Sequence, residues 1–137
     1  MRQQTVLVVD DDEPHRRLLY DLLSAKCYRV LLAENGRGAI ELARQERPEL
    51  ILLDIRLPDM SGLEVARVLK ATSETRAIPI AAITALAMPA DERVIRENGC
   101  NAYMAKPIRI NRLFMLVAGL LGNRVAAERR DAGAGSF

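Results

Sequence analysis

The apolar positions of this chain come in two alternating kinds. Short runs rich in branched residues, TVLVV (5–9), YRVLLA (28–33), ELILLD (49–54), IPIAAIT (78–84) and NAYMA (101–105), read as strands. Between and after them apolar residues recur at helical spacing, in HRRLLYDLLSAKC (15–27), GRGAIELARQE (36–46), GLEVARVLKAT (62–72), ADERVIREN (90–98) and RINRLFMLVAGLLG (109–122). Leu18, Leu19, Leu22 and Leu23 form one wide stripe, and Leu63, Val65, Ala66 and Leu69 another. The punctuation agrees: Pro14 suits a first helical turn, Ser61 is the natural cap of the 62–72 helix, and Gly99 is a stop after 90–98.

Strands that alternate with helices predict an α/β fold, (βα)5, with a parallel sheet covered on both faces. The unbroken apolar character of ILLD and IPIAAI supports burial on both sides. Residues 4–122 are expected to form one domain. Residues 123–137, ending VAAERRDAGAGSF, are charged and then Ala/Gly-rich, and are expected to be frayed or disordered.

Composition narrows the function classes. The net charge of +2 is too balanced to imply nucleic-acid binding, and an aromatic content of 4% without Trp argues against base-stacking platforms. No apolar run is long enough to span a membrane, and MRQQTVLVVDDDE lacks a signal-peptide pattern. Cys27 and Cys100 match no metal or redox spacing, so reduced thiols in a cytoplasm are expected.

Candidate chemistry lies where the strands end, since open parallel sheets form their sites beyond the carboxyl ends of the strands. The first strand runs into Asp10, Asp11 and Asp12, the third into Asp54, the fourth into Thr84 and the small Ala85, and the fifth into Lys106 and Pro107. Singly, each has an ordinary reading: a DDD run is a turn or cap, a Thr at a strand end reflects β-propensity, and a Lys before Pro is solvated. Together they gather carboxylates, a hydroxyl and an ammonium at one edge of the sheet. Clustered carboxylates repel unless a cation is present, and a hard divalent ion such as Mg²⁺ takes a few carboxylates plus water and phosphate oxygens. The chemistry suggested is phosphoryl transfer onto a carboxylate, with Asp54, alone at the central strand's tip, as nucleophile.

VLVVDDDE, LLDIRLPDMSGLE, AAITALAM and AYMAKPI, in this order and spacing, resemble the motif blocks of response-regulator receiver domains over about residues 4–122. ITALAM and GCNAYMAKPI look most like the DivK-type single-domain regulators, within the CheY-like group, and similar sequences occur as receiver modules of hybrid histidine kinases. The resemblance implies a flavodoxin-like three-layer sandwich with sheet order 2-1-3-4-5. It implies that Asp54 accepts phosphate from the phosphohistidine of a histidine kinase or histidine phosphotransfer protein, and that the chain assists its own phosphorylation and dephosphorylation. Asp11 and Asp54 would bind Mg²⁺ (or Mn²⁺) directly, with the backbone carbonyl of Arg56, and Asp10 would act through a water. Lys106 would neutralise the phosphoryl oxygens, with its peptide to Pro107 cis. Thr84 would hydrogen-bond the phosphoryl group, Tyr103 would be the switch aromatic, and Ala85 would leave room for access.

Further expectations follow. On phosphorylation Thr84 moves toward the phosphoryl group and Tyr103 turns inward. This repacks a protein-binding face of the fourth helix, fifth strand and fifth helix, near Met88, Arg93 and Asn111. Output is then protein contact, without nucleic acid or membrane, by a monomer or weak dimer. Asp12 makes an unusual third acid, so which two face the metal is open at this point. Arg56 puts bulk and charge at the pocket mouth, where they bear on dephosphorylation. Tyr103 without its motif would be an ordinary strand aromatic, and His15, the one histidine, reads as an exposed helix residue. A haloacid-dehalogenase-type hydrolase also uses an Asp after a strand, but needs D-x-D-x-T where this chain has Asp10-Asp11-Asp12-Glu13-Pro14.

Overall fold

A computed structural model describes the backbone of residues 3–85 and 89–133, with side-chain environments given to residue 122 except at 86–90. Two compact units are present, Met1–Pro107 and Ile108–Phe137. The first holds β1 (Thr5–Val9), α1 (Glu13–Ala25), β2 (Arg29–Ala33), α2 (Gly36–Glu46), β3 (Leu50–Asp54), α3 (Gly62–Ala71), β4 (Ile80–Thr84), α4 (Pro89–Glu97) and β5 (Ala102–Ala105). All strand pairs are parallel and the order is β2-β1-β3-β4-β5, as expected of a flavodoxin-like fold.

Strand alternation sorts the core into two layers. Leu7, Val9, Ile51, Leu53, Ile80 and Ala82 point to one face, where they join Ala39 and Ala43 of α2, Val65, Ala66 and Leu69 of α3, and Ile95 of α4. Val6, Val8, Leu50 and Leu52 point to the opposite face, on which α1 buries Leu19 and Leu23. Both faces are therefore covered, which is why β1, β3 and β4 are buried at every position and read as continuous apolar runs. Each fully buried Leu or Ile contributes roughly 1.5–3 kcal/mol relative to exposure.

Caps set the helix starts. The Asp12 side chain accepts the His15 N–H, so α1 starts at Glu13 with Pro14 in its first turn, two residues before the start read from the apolar stripe. Ser61 caps α3 as expected, its Oγ accepting the Leu63 N–H at 3.1 Å. Ser61→Ala is expected to lower stability by about 1 kcal/mol in urea denaturation. Cys27 is an exposed free thiol and Cys100 a buried one.

The second unit carries α5, Ile110–Gly133. Among its described residues Leu113, Val117 and Leu121 are buried, one residue per turn along one stripe. Helical backbone continues past residue 122, where the sequence reading ended the helix and placed a frayed tail. The Ala-, Glu- and Arg-rich stretch after residue 124 has high helix propensity, which composition alone had masked. Among the described residues no helix is long and apolar enough to cross a membrane.

Candidate functional site: an acidic crevice facing a lysine

β1 lies between β2 and β3, so the chain turns opposite ways on leaving and rejoining it. The C-terminal ends of β1 and β3 therefore flank the crevice where strand order reverses. Val9 pairs in register with Leu53, and the next residue on each strand path is an acid, Asp10 and Asp54. Both are almost wholly buried, at 2% and 6% exposure, whereas Asp11 is exposed. One oxygen from each of Asp10, Asp11 and Asp54 lies within 4.8 Å of the others. Asp12 is not in this group; as the α1 cap it is turned to the helix, which settles which acids share the crevice.

Lys106 reaches the same place from the end of β5. Its Nζ donates to Asp54 Oδ2 at 3.0 Å and lies 3.5 Å from Asp10 Oδ2. Its backbone N–H donates to the Thr84 carbonyl at 2.8 Å, and its peptide to Pro107 is cis. The other Asp54 oxygen, Oδ1, accepts the Arg56 N–H at 3.1 Å. Thr84 is buried at the end of β4 and Ala85 is exposed beside it. Tyr103 pairs in register with Ala82, so it lies on the same sheet face as Thr84, half-buried against the core layer there. Of the expected face residues, Arg93 is exposed on α4 and Asn111 on α5, and Met88 lies outside the described residues.

Burial pushes the Asp54 carboxyl above its ordinary range, more than the Lys106 and Arg56 hydrogen bonds pull it down, and the Asp10 charge adds to the rise. At Asp10 burial also pushes upward, but the hydrogen bonds from His15 and Asp12 and the charge of Lys106 outweigh it and hold the carboxyl below its ordinary value. Burial alone would lower Lys106; the adjacent Asp54 and Asp10 carboxylates outweigh it and keep the ammonium protonated. The site thus concentrates negative charge that one ammonium only partly offsets. All its anionic donors are carboxylate oxygens, the donor chemistry a hard divalent cation takes, so the residues fit Mg²⁺.

Residues that sequence reasoning passed over complete the crevice. His15, read as an exposed helix residue, is half-buried with Nδ1 against Asp10 Oδ2, because the Asp12 cap starts α1 directly over the acids. Arg16 Nη1 donates to the Asp10 carbonyl at 2.8 Å, and its Nη2 lies 3.7 Å from Glu34 Oε2. The signal for both was their place in the first turn of a helix that begins beside the acids. Asp59 and Gly62, treated below, gave no local signal.

A profile of the response regulator receiver domain matches residues 6–118. The chain belongs to this family. It is 45% identical over 120 residues to the polar-differentiation response regulator DivK of Brucella anthropi, covering 88% of this chain and 98% of that one. The receiver domain of the sensor histidine kinase PA1611 of Pseudomonas aeruginosa, solved with a magnesium ion coordinated in its active-site cleft, superposes with a TM-score of 0.82 at 31% identity, over 88% of this chain and 99% of that one. The chemotaxis response regulator CheY4 of Vibrio cholerae superposes with a TM-score of 0.84 at 26% identity, over 88% of this chain and 100% of that one. This receiver is therefore a two-component signalling domain of the CheY-like group, outside the classical enzyme families, and the hydrolase alternative falls.

Proposed function

We propose that this receiver is a single-domain response regulator that takes a phosphoryl group onto Asp54 from the phosphohistidine of a histidine kinase or histidine phosphotransfer protein. One observation carries the reading. A buried carboxylate at the tip of the central strand is bonded to a lysine ammonium at 3.0 Å, with two further acids within 4.8 Å. The 45% identity to DivK, above the 31% to the receiver domain of the kinase PA1611, supports a DivK-like regulator.

A carboxylate oxygen of Asp54 attacks phosphorus, the phosphorus–nitrogen bond breaks, and the electron pair leaves with the imidazole. Asp11, Asp54 and the Arg56 carbonyl would hold Mg²⁺, with Asp10 acting through a water; when bound, the ion offsets charge on the transferring phosphoryl oxygens. Lys106 neutralises a phosphoryl oxygen, Thr84 hydrogen-bonds another, and Ala85 leaves the approach open. Water attack on the same aspartyl phosphate, in the same pocket, returns the carboxylate, and the Arg56 side chain at the mouth bears on that rate.

The added charge of about −1.5 to −2 is read out by Thr84 and Tyr103, which share a sheet face, and passes to α4 and β5 for protein contact. Incubation with acetyl phosphate and Mg²⁺ is expected to add one acid- and base-labile phosphoryl group per wild-type chain and none to Asp54→Asn, read by intact mass. An unmodified wild type, or continued turnover of a phosphoester, would overturn the reading. Thr84→Ala is expected to take up phosphate yet lose the response of partner binding to beryllofluoride.

A further inference from the structure

The loop that follows the acceptor is tied to a distant helix by one side chain. Asp59 Oδ1 accepts the Gly36 N–H at 2.8 Å and Oδ2 accepts the Arg37 N–H at 3.0 Å. Asn35 Oδ1 takes the Gly38 N–H at 2.7 Å, so the first N–H groups of α2 are shared between its own cap and a residue from the β3–α3 loop. These bonds hold the exposed Asp59 carboxyl below its ordinary value. Met60 packs beside the same helix end, where a Cβ on Gly36 would come within 2.4 Å of Met60 Cγ.

The position of this clasp makes it more than a helix cap. At the neck of the loop, Gly62 N–H donates to the Ile55 carbonyl at 2.7 Å and Arg56 forms an antiparallel bridge with Ser61. Arg56 N–H in turn donates to Asp54 Oδ1. At the other end of the connection, Asp10 N–H donates to the Ala33 carbonyl at 3.1 Å, and three residues on is Gly36, bound to Asp59. The two acid-bearing ends, β1 at Asp10 and β3 at Asp54, are thus joined through a second route outside the sheet.

We propose that Asp59 is a positioning residue for the metal: its clasp on α2 holds the β3–α3 loop, and with it the Arg56 backbone, in register with Asp10, Asp11 and Asp54. This rests on the function proposed above. An outer residue that orients metal ligands changes affinity when removed, in a way that loss of helix stability alone does not.

The test separates the two roles by comparing Asp59→Ala with Asn35→Ala, each of which strips an N-terminal cap from α2. Magnesium chloride is titrated calorimetrically into each protein, and the melting temperature is measured in EDTA. Asp59→Ala is expected to raise the Mg²⁺ Kd about tenfold, whereas Asn35→Ala lowers the melting temperature and leaves the Kd near wild type. Asp59→Asn, which keeps one acceptor oxygen, is expected to fall between Asp59→Ala and wild type. Equal Kd values for wild type and Asp59→Ala overturn the inference alone. So does an equal rise in Asn35→Ala, since the clasp would then be a cap and nothing more. A wild type that takes up no Mg²⁺ overturns the underlying reading as well.

Discussion

Exchanging Lys106 for Ala is expected to slow phosphorylation of Asp54 by acetyl phosphate about 10²–10³-fold, equivalent to about 2.7–4 kcal/mol of transition-state stabilisation. Phosphoryl transfer asks little covalent chemistry of a protein; positioned charge supplies most of the rate. Here the ammonium is fixed before the substrate arrives. Its chain neighbours are tied to β4 through the bond from Lys106 N–H to the Thr84 carbonyl, and Nζ already sits 3.0 Å from the attacking carboxylate. No reorganisation is needed when charge builds on the phosphoryl oxygens.

The same substitution should not weaken Mg²⁺ binding, because it removes a cation that competes for Asp54 and Asp10. A slow rate with Mg²⁺ affinity kept or improved therefore separates a lost charge from a damaged fold. Lys106→Arg keeps the charge but replaces a compact ammonium with a planar fork, and an intermediate rate is expected. Lys106→Ala reacting at the wild-type rate, followed by quenched-flow mass measurement, would show that the ammonium is not part of the transfer step.

The fold was readable because a doubly covered parallel sheet leaves a simple imprint: apolar runs without alternation, separated by helical stripes. The acids and the lysine were readable for a related reason. Strand ends are punctuated in the sequence, and parallel order sends every one of those ends to the same edge. What stayed hidden depends on tertiary direction. Asp12 looked equivalent to Asp10 and Asp11 until the helix claimed it as a cap. His15 was read as an exposed polar residue at the helix start, yet it is in line with the buried Leu19 and Leu23, and capping brings the first turn of α1 over Asp10. Asp59 carries no local sign at all, since its partners Gly36 and Arg37 precede it by more than twenty residues. Where α5 stops was not legible for another reason: Ala and charged residues serve solvated tails and helices alike, and helical backbone runs to Gly133.

Gly62→Ala is expected to cost about 3 kcal/mol or more, the largest loss of stability from adding one methyl group to this receiver. A Cβ at Gly62 would lie 2.2 Å from the Asp54 carbonyl oxygen and 2.7 Å from Ile55 Cα. Both are backbone atoms at the tip of β3, so no side-chain rotation can relieve the contact. The N–H of Gly62 also donates to the Ile55 carbonyl at 2.7 Å, which draws the start of α3 onto that tip. Either α3 retreats and gives up this bond, or the acceptor strand moves and takes Asp54 and Arg56 with it. Both routes weaken Mg²⁺ binding along with stability, so urea denaturation and metal titration should fall together. Gly119→Ala provides the opposing sign. A Cβ there meets nothing within 4 Å, and the residue lies inside α5. Ala should therefore raise stability by roughly 0.5–1 kcal/mol through backbone entropy alone. The same chemical change, made at two glycines, is thus expected to act in opposite directions, because only at Gly62 does missing side-chain volume let a helix start lie against the carbonyl of the acceptor aspartate.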